Sequence, residues 1–102
     1  LDYTSSGGMR GRFPEVKTWL VDVLPFFAMR QHIVTNREIT IDGDAATSRS
    51  YLYNPMGRVR SDGGLDLFFT GATYHDRWQR TPDGWRITER TLVEHWRARG
   101  PA

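Results

Sequence analysis

The sequence predicts an α+β domain in which an amphipathic helix precedes a strongly curved, mostly antiparallel sheet that wraps around helices. Apolar residues recur at helical spacing early in the chain, and from Met29 onward β-branched and aromatic runs alternate with turn signals. The length of 102 residues supports one packed core and is too short for two. We therefore expect residues 1–102 to form a single domain.

The helix is predicted between Arg12 and Leu24. Pro14 suits its first turn, where a missing N–H costs nothing, and Pro25 excludes the helical conformation at the preceding residue. Positions three and four residues apart share one side of a helix, so the apolar residues form one face. This face consists of Phe13, Val16, Trp19, Leu20, Val23 and Leu24.

Four long strands are predicted after the helix, at about residues 30–41, 45–59, 65–80 and 85–96. The segments Asp42-Gly43 and Pro82-Asp83-Gly84 contain glycines that supply the positive φ of tight turns, so they are expected to close two hairpins. Apolar residues stand side by side at 51–53 and 67–69, so both faces of the sheet should meet something apolar. One face should hold the helix, and the other should line a cavity or meet a second subunit. A strongly curved sheet would satisfy both demands with few residues.

Composition argues against several classes of site and partner. The chain has no Cys, which excludes disulfides, thiolate zinc sites and cysteine nucleophiles. No apolar run approaches the ~18 residues that span a bilayer. The arginines are scattered among acidic residues and the net charge is only +2, so we expect no nucleic-acid partner. The common phosphate-binding, serine-hydrolase and His-x-x-x-His motifs do not occur, so neither a cofactor nor a metal is expected. The absence of Cys leaves the compartment open, and a cytoplasmic location is favoured.

His32 is the strongest candidate for chemistry. It lies in a predicted strand and shares a face with Val34 and Asn36, which indicates a partly apolar, partly polar surrounding. Such a surrounding can hold an imidazole near neutrality for proton transfer. A buried histidine whose ring bonds a carbonyl is the alternative.

The residue opposite His32 depends on the hairpin register. If Asp42-Gly43 is a two-residue loop, Tyr53 lies opposite His32, whereas a register one residue longer places Asn54 there. Either side chain could hold a substrate oxygen.

The second hairpin predicts a further polar pair. If Pro82-Asp83-Gly84 is a three-residue loop, Asp76 pairs with Arg90, and Trp78 pairs with Thr88. In a cavity, the carboxylate and guanidinium would bind or polarise a ligand. On a solvated face they would be an ion pair contributing a few tenths of a kcal/mol, roughly. Trp78 could face a pocket, a partner or the helix.

Three blocks of the sequence resemble the SnoaL-like family of the nuclear-transport-factor-two-like superfamily, whose α+β domains are cone-shaped. Its relatives include scytalone dehydratase, ketosteroid isomerase, polyketide cyclases and proteins with no known catalysis. The resemblance covers nearly the whole chain. The blocks are His32-Ile33-Val34-Thr35-Asn36, Ile41-Asp42-Gly43-Asp44-Ala45-Ala46 with Tyr51 and Tyr53, and Gly71-Ala72-Thr73-Tyr74-His75-Asp76 followed by Arg80-Thr81-Pro82-Asp83-Gly84-Trp85-Arg86-Ile87.

The resemblance implies a catalytic role for His32. In dehydratase-like members the histidine of this block is an acid or base beside an Asp and a Tyr of an N-terminal helix. The present sequence begins near the first strand, at Leu1, so we expect the domain to be N-terminally incomplete and to lack that helix.

Two functions follow as expectations. The first is a cofactor-independent dehydratase, isomerase or cyclase that acts on a hydrophobic, oxygenated small molecule. His32 would move the proton, Tyr53 or Asn54 would hold the substrate oxygen, and substrate would also contact Trp78 and the pair formed by Asp76 and Arg90. The second is a non-catalytic module that binds a small molecule or forms a homodimer through its sheet face.

Overall fold

One α-helix forms where the apolar periodicity predicts it. In the computed structural model, which describes residues 1–101, helix α1 spans Phe13–Val23. Pro14 occupies its first turn, and the backbone N–H of Arg12 donates a hydrogen bond of 2.7 Å to the Glu15 carboxylate. The chain leaves the helix through a 3-10 turn at Leu24–Phe26. No helix within the described range is long and apolar enough to cross a membrane.

The apolar face of α1 is only partly buried. Val16 is fully buried, but Phe13 is 63% exposed. Trp19 is half-buried and packs against Tyr3, with 5.9 Å between ring centroids. The helix is therefore held in part by the N-terminal segment, and Phe13 stays open to solvent although it belongs to the predicted apolar face.

Five antiparallel strands form one sheet in the described part of the chain. Strands β1 and β2 both pair with β3, which pairs with β4, which in turn pairs with β5. The four predicted strands are confirmed, with a short break in the first predicted strand and an extension of the last. The bounds are Met29–Arg30 for β1, Ile33–Asp42 for β2, Ala45–Val59 for β3, Leu65–Thr81 for β4 and Gly84–Pro101 for β5.

The hairpin between β4 and β5 combines a two-residue turn with a β-bulge. Thr81 pairs with Gly84, whose φ of 102° is the left-handed conformation predicted for it. The turn is one residue shorter than expected, so Trp78 pairs with Ile87 and not with Thr88. A register shift between Arg77 and Trp78 then adds one residue on β5.

This bulge restores the predicted register beyond it. Asp76 pairs with Arg90, and Tyr74 pairs with Leu92, as the longer loop would also have placed them. The shorter turn and the extra residue cancel, so the expected cross-strand pairs form with a different local geometry.

The sheet has one buried and one exposed face. Along β3, residues at even positions from Ala46 to Asn54 are buried and the intervening ones are exposed. We call the buried side the inner face and the other the outer face. On the inner face, Tyr3 packs on the apolar core, which consists of Leu52, Ala72, Tyr74 and Leu92.

The sheet is not strongly curled, which corrects the prediction of a strongly curved, wrapped sheet. At about 3.3 Å per residue, the 17 residues of β4 span roughly 56 Å when fully extended. The longest dimension of the molecule is 54 Å, so the long strands run nearly straight. The helix has 11 residues and a length of about 16 Å, so it covers only a fraction of the sheet. Residues 1–101 contain too little helix for a sheet of this length to wrap around.

Candidate functional site

The pairing of β2 with β3 selects the partner of His32. Ile33 pairs with Tyr53, and β1 continues in the same register beyond it. His32 therefore lies across from Asn54. The longer of the two expected registers is confirmed, and Tyr53 lies on the outer face, away from the Asn54 side chain.

A β-bulge produces this register. Asp42 pairs with Ala45 around a two-residue turn, and a shift follows between Thr35 and Glu38. Asn36 lies in the shift with a φ of 52°, a left-handed conformation that asparagine tolerates better than most residues. The first hairpin thus uses the same combination of turn and bulge as the second.

His32 presents an accessible imidazole. The residue is exposed, between the end of β1 and the start of β2. Partial desolvation, and then the positive charge of Arg30, lower the pKa of His32 below its usual value of 6.5. The ring is therefore mostly neutral at pH 7 and able to accept a proton.

Asn54 provides a polar atom without a partner. The residue is only 7% exposed, and its side-chain oxygen Oδ1 is buried with no hydrogen-bond donor among the described residues. A buried polar atom without a partner costs roughly 1–3 kcal/mol and is uncommon in folded proteins. Because the atom is enclosed, a ligand hydroxyl reaches it only if the neighbouring side chains move aside.

Asp76 and Arg90 form a buried, bidentate ion pair. Nε of Arg90 lies 2.8 Å from Oδ1 of Asp76, and Nη2 lies 2.9 Å from Oδ2. The Asp76 side chain is 2% exposed, so the pair is not the solvated one that the sequence left open. Both carboxylate oxygens are occupied, which makes the pair a fixed link between β4 and β5.

Tyr74 packs beneath this ion pair. The Arg90 guanidinium lies 4.0 Å from the centroid of the Tyr74 ring. Burial raises the pKa of Tyr74 to about 12. Desolvation opposes the charge of Arg90, but the hydrogen bonds that Arg90 donates to Asp76, and the negative charge of Asp76, raise the pKa of Arg90 overall. The phenol is neutral and the guanidinium charged at any physiological pH.

Trp78 lines an apolar cavity near the hairpin tips. Its indole Nε1–H donates a hydrogen bond of 2.8 Å to Oγ of Ser48, which fixes the ring on the inner face. Of the expected alternatives, Trp78 faces a pocket, with a volume of about 200 Å³. The other lining residues are Arg37, Ile39, Ile41, Ala46 and Trp85.

The predicted site residues fall into two separate groups. Asp76 pairs with Ser48, which precedes Asn54 by six positions on β3. Six residues of nearly straight strand span about 20 Å, so one small molecule cannot contact both His32 and Arg90. The expectation of a single site that includes both groups depended on the strong curvature that the sheet lacks.

The remaining histidines lie outside both groups. His75 is exposed on the outer face, and Nε2 of His95 shares a hydrogen bond with the Thr73 hydroxyl. Over residues 1–101, no three His, Asp or Glu side chains converge in a way that could hold a metal ion.

A larger cleft separates the start of α1 from β5, and sequence reasoning did not single it out. Its volume is about 760 Å³. We call it the helix cleft. Its walls come from segments far apart in the chain, so no local motif indicated it. The lining residues are Leu1, Tyr3, Gly11, Arg12, Phe13, Leu20, Arg86, Ile87, Thr88 and Arg90.

Aromatic side chains cluster on the outer face. Tyr53 stacks on Phe69 with 6.5 Å between ring centroids and lies 6.2 Å from Trp96. The indole of Trp96 lies so close over Gly71 that a Cβ there would collide with it. Tyr53 is 42% exposed and Trp96 is 47% exposed. We call Tyr53, Phe69 and Trp96 the aromatic patch.

Removing one partner of the buried ion pair should be costly. The Arg90→Met variant leaves the Asp76 carboxylate uncompensated, and its free energy of unfolding should fall by about 3 kcal/mol in urea denaturation. Adding Asp76→Asn should recover part of this loss. Arg77→Met is the matched control because Arg77 pairs with Glu89 on the exposed face, at 71% and 68% side-chain exposure. Arg77→Met should lower the free energy of unfolding by less than about 1 kcal/mol. An equal decrease in the Arg77→Met and Arg90→Met variants would contradict a stabilising role of the buried ion pair.

The stability of the fold should depend on His32 near pH 6. The folded state disfavours the protonated ring, whereas the unfolded chain takes up this proton at about pH 6.5. The free energy of unfolding is therefore unaffected by His32 well above pH 6.5. It decreases as the pH falls through and below that value, because the unfolded chain binds the proton more readily than the folded one. NMR titration should give a midpoint below 6.5, and Arg30→Gln should move the midpoint upward. A midpoint above 6.5 in the wild type would contradict the described surroundings of the ring.

The fold matches that of solved proteins. A protein from Kribbella flavida superimposes with a TM-score of 0.81 at 22% identity, covering 95% of this chain and 68% of that one. A hexachlorocyclohexane dehydrochlorinase of type 2 gives a TM-score of 0.68 at 16% identity, covering 87% of this chain and 59% of that one. At these identities the likeness concerns the fold.

Sequence relatives are closer in identity. Uncharacterized proteins of Mycobacterium bovis and Mycobacterium tuberculosis are 42% identical over 90 residues, or 88% of this chain. The chain spans 60% of the length of these relatives. The family model of the SnoaL-like domain matches residues 1–91. The match covers most of the chain and agrees with the resemblance of the three sequence blocks, so this protein belongs to the SnoaL-like family of the nuclear-transport-factor-two-like superfamily.

Proposed function

We propose that this protein is a cofactor-independent enzyme of dehydratase, isomerase or cyclase type, in which His32 removes a proton from a hydrophobic, oxygenated small molecule. The observation that carries this proposal is the placement of a neutral, accessible imidazole across from Asn54, whose buried Oδ1 has no donor among residues 1–101. The pairing joins a base to a hydrogen-bond acceptor that awaits a ligand.

His32 has the protonation state that a general base needs. Its lowered pKa keeps the ring neutral at pH 7, and its exposure lets a substrate approach. A base whose pKa lies below the working pH is mostly deprotonated and therefore ready to accept a proton. The ring can therefore accept a proton without a prior ionisation step.

Asn54 orients the substrate. Opposite residues in an antiparallel pair have Cβ atoms about 5 Å apart, so one small molecule can contact both side chains. A substrate hydroxyl that donates to Oδ1 of Asn54 removes the cost of its missing partner. This bond holds the neighbouring C–H group of the substrate near the imidazole.

An elimination illustrates the chemistry. The neutral nitrogen of His32 takes a proton from the carbon beside the one that carries the leaving group. The electrons of the C–H bond form the new double bond, and the leaving group departs with its bonding pair. When that group is hydroxide, the imidazolium returns its proton and water is released. A structural neighbour is named as a dehydrochlorinase, an enzyme of the same reaction type, which supports this class.

Substitution of His32 tests the proposal. Two probes are suitable, γ-hexachlorocyclohexane for loss of chloride and a β-hydroxy aryl ketone for loss of water. His32→Ala should lower kcat/KM by about 10²- to 10⁴-fold, and added imidazole should restore part of the rate. Asn54→Leu should chiefly affect the hydroxy ketone, because only that probe donates a hydrogen bond.

The matched control is His75→Ala, which removes an exposed imidazole from the outer face. This variant should turn over both probes like the wild type. Unchanged turnover in a folded His32→Ala variant would remove this residue from the mechanism. Failure of the wild type to convert either probe would count against elimination chemistry.

A second candidate function is a non-catalytic dimerisation module. The aromatic patch favours it, because contiguous exposed aromatic surface is typical of protein interfaces. A twofold pair of outer faces would cover Tyr53 and Trp96 on both copies.

Sedimentation tests this second candidate. The wild type should be a dimer at micromolar concentration, and Tyr53→Ser with Trp96→Ser should shift it to a monomer because the covered apolar area is lost. Arg77→Ser is the control, since it alters the same face at an exposed ion pair with Glu89. A wild type that sediments as a monomer would rule the module out as a dimer.

A further inference from the structure

Arg30 lies beside His32 on the inner face of the sheet. Arg30 pairs with Met56. This position on β3 is two residues from Asn54, the residue across from His32, so both partners face inward. Residues two apart along a strand share a face, with about 6.6 Å between their Cα atoms. The positive charge of Arg30 acts on the His32 ring, in agreement with this placement. One small molecule can therefore contact both side chains.

The charge of Arg30 has no partner in the described part of the chain. The residue is exposed, and no Asp or Glu oxygen lies within 4.0 Å of its guanidinium. Other arginines of the inner face lie over aromatic rings. Arg58 is 4.3 Å from the ring centroid of Phe26, and Arg99 is 5.1 Å from that of Phe68. The guanidinium of Arg30 is thus free to bind a negatively charged group next to the base.

An apolar side chain lies on the opposite side of His32. Val34 follows His32 by two positions and pairs with Leu52 of the apolar core, so it also faces inward. It is 41% exposed. Along β1 and β2, the inner face therefore presents a cation, a base and an apolar side chain, each about 6.6 Å from the next. A ligand that fits this row has an anionic end, a reacting carbon in the middle and an apolar body.

We propose that the substrate of His32 carries a carboxylate, which Arg30 binds, close to the carbon from which His32 removes the proton. This inference rests on the proposed function and names its substrate class. A guanidinium matches the planar carboxylate through paired N–H donors. A carbonyl must also acidify the reacting C–H bond, because imidazole is a weak base. A 4-hydroxy-2-oxo acid with an apolar group on C4 meets both requirements.

The reaction of this substrate class is a loss of water. His32 takes the proton from C3, and the electrons of that C–H bond enter the C2 carbonyl to form an enolate. They return to form the double bond between C3 and C4 when hydroxide leaves C4 with its bonding pair. The proton on the imidazolium joins this hydroxide as water. Arg30 stays on the carboxylate, and its positive charge stabilises the neighbouring enolate.

Binding of the carboxylate also changes the base. In the free protein, desolvation and then the charge of Arg30 lower the pKa of His32. A carboxylate on Arg30 offsets this positive charge, so it raises the pKa of the imidazole. His32 therefore becomes a stronger base when the substrate is in place.

A charged and an uncharged substrate test this class. The probes are 4-hydroxy-2-oxo-4-phenylbutanoate and its primary amide, each corrected for its rate of water loss in imidazole buffer. The wild-type kcat/KM should favour the acid by about 10- to 100-fold, because the hydrogen bonds to its carboxylate are charge-assisted. Arg30→Gln should abolish this preference by slowing the acid alone. Circular dichroism checks that each variant is folded.

Arg99→Gln is the matched control. Arg99 also lies on the inner face with no Asp or Glu oxygen within 4.0 Å in residues 1–101, but Met56 and Phe68 separate it from Arg30. Three strand spacings amount to about 14 Å. This variant removes one positive charge, as Arg30→Gln does, and should keep the preference for the acid. Equal losses of the preference in both variants would indicate a general effect of charge and overturn the proposed contact.

A ligand that cannot react separates this inference from the proposed function. The anion 2-oxo-4-phenylbutanoate lacks the leaving group, so calorimetric titration measures its binding without chemistry. Affinity should fall about tenfold in Arg30→Gln and be largely retained in His32→Ala. In the wild type, saturation with this anion should raise the midpoint of the His32 NMR titration. If this binding pattern holds while neither probe is turned over, elimination is wrong and the carboxylate site stands.

Two results would overturn the substrate class. Turnover of the amide as fast as the acid would leave the proposed function in place and remove the role of Arg30. Absence of saturable binding of 2-oxo-4-phenylbutanoate at millimolar concentration, or an unchanged His32 midpoint at saturation, would refute the carboxylate site directly.

Discussion

A tight turn followed by a β-bulge decides which residues lie opposite His32 and Arg90. The hairpins β2–β3 and β4–β5 each begin with a two-residue turn and gain one residue at a bulge a few positions later, whereas β3 and β4 pair without a shift. A shift of one residue in a strand moves its side chains to the other face of the sheet. Without the bulge around Asn36, the partner of His32 would be a different residue from Asn54. Without the bulge beside Trp78, Asp76 and Arg90 would not meet.

On the inner face, a buried ion pair links β4 to β5 beside an apolar core of only four side chains. Tyr3 packs on this core cluster. One of the four, Ala72, is small, and another, Tyr74, carries a polar hydroxyl. Next to it, Arg90 contacts both the Asp76 carboxylate and the ring of Tyr74. A buried pair of this kind costs desolvation energy when it forms and much more when one partner is removed. The pair therefore acts as a constraint on the pairing of β4 with β5 more than as a source of net stability.

The nearly straight sheet keeps apart two groups of side chains that a strongly curled sheet would bring together. His32 and Asn54 lie toward one end of β3, while the ion pair, the apolar cavity at Trp78 and the helix cleft lie toward the hairpin tips. A small molecule at one end cannot reach the other.

Local features of the sequence determined the helix, the strands and the turns, because apolar periodicity and glycine conformation act over a few neighbouring residues. The expected pair of Asp76 and Arg90 forms because a bulge that the sequence did not predict cancels the shorter turn. Local features limited the partner of His32 to Tyr53 or Asn54. Only the tertiary structure decided which of these two it is, because an asparagine permits the left-handed conformation of the bulge at Asn36 without requiring it. The exposure of Phe13 and the distance between His32 and Arg90 depend on the curvature of the whole sheet and on where α1 lies. These are sums of contacts between distant segments, which no short stretch of sequence specifies.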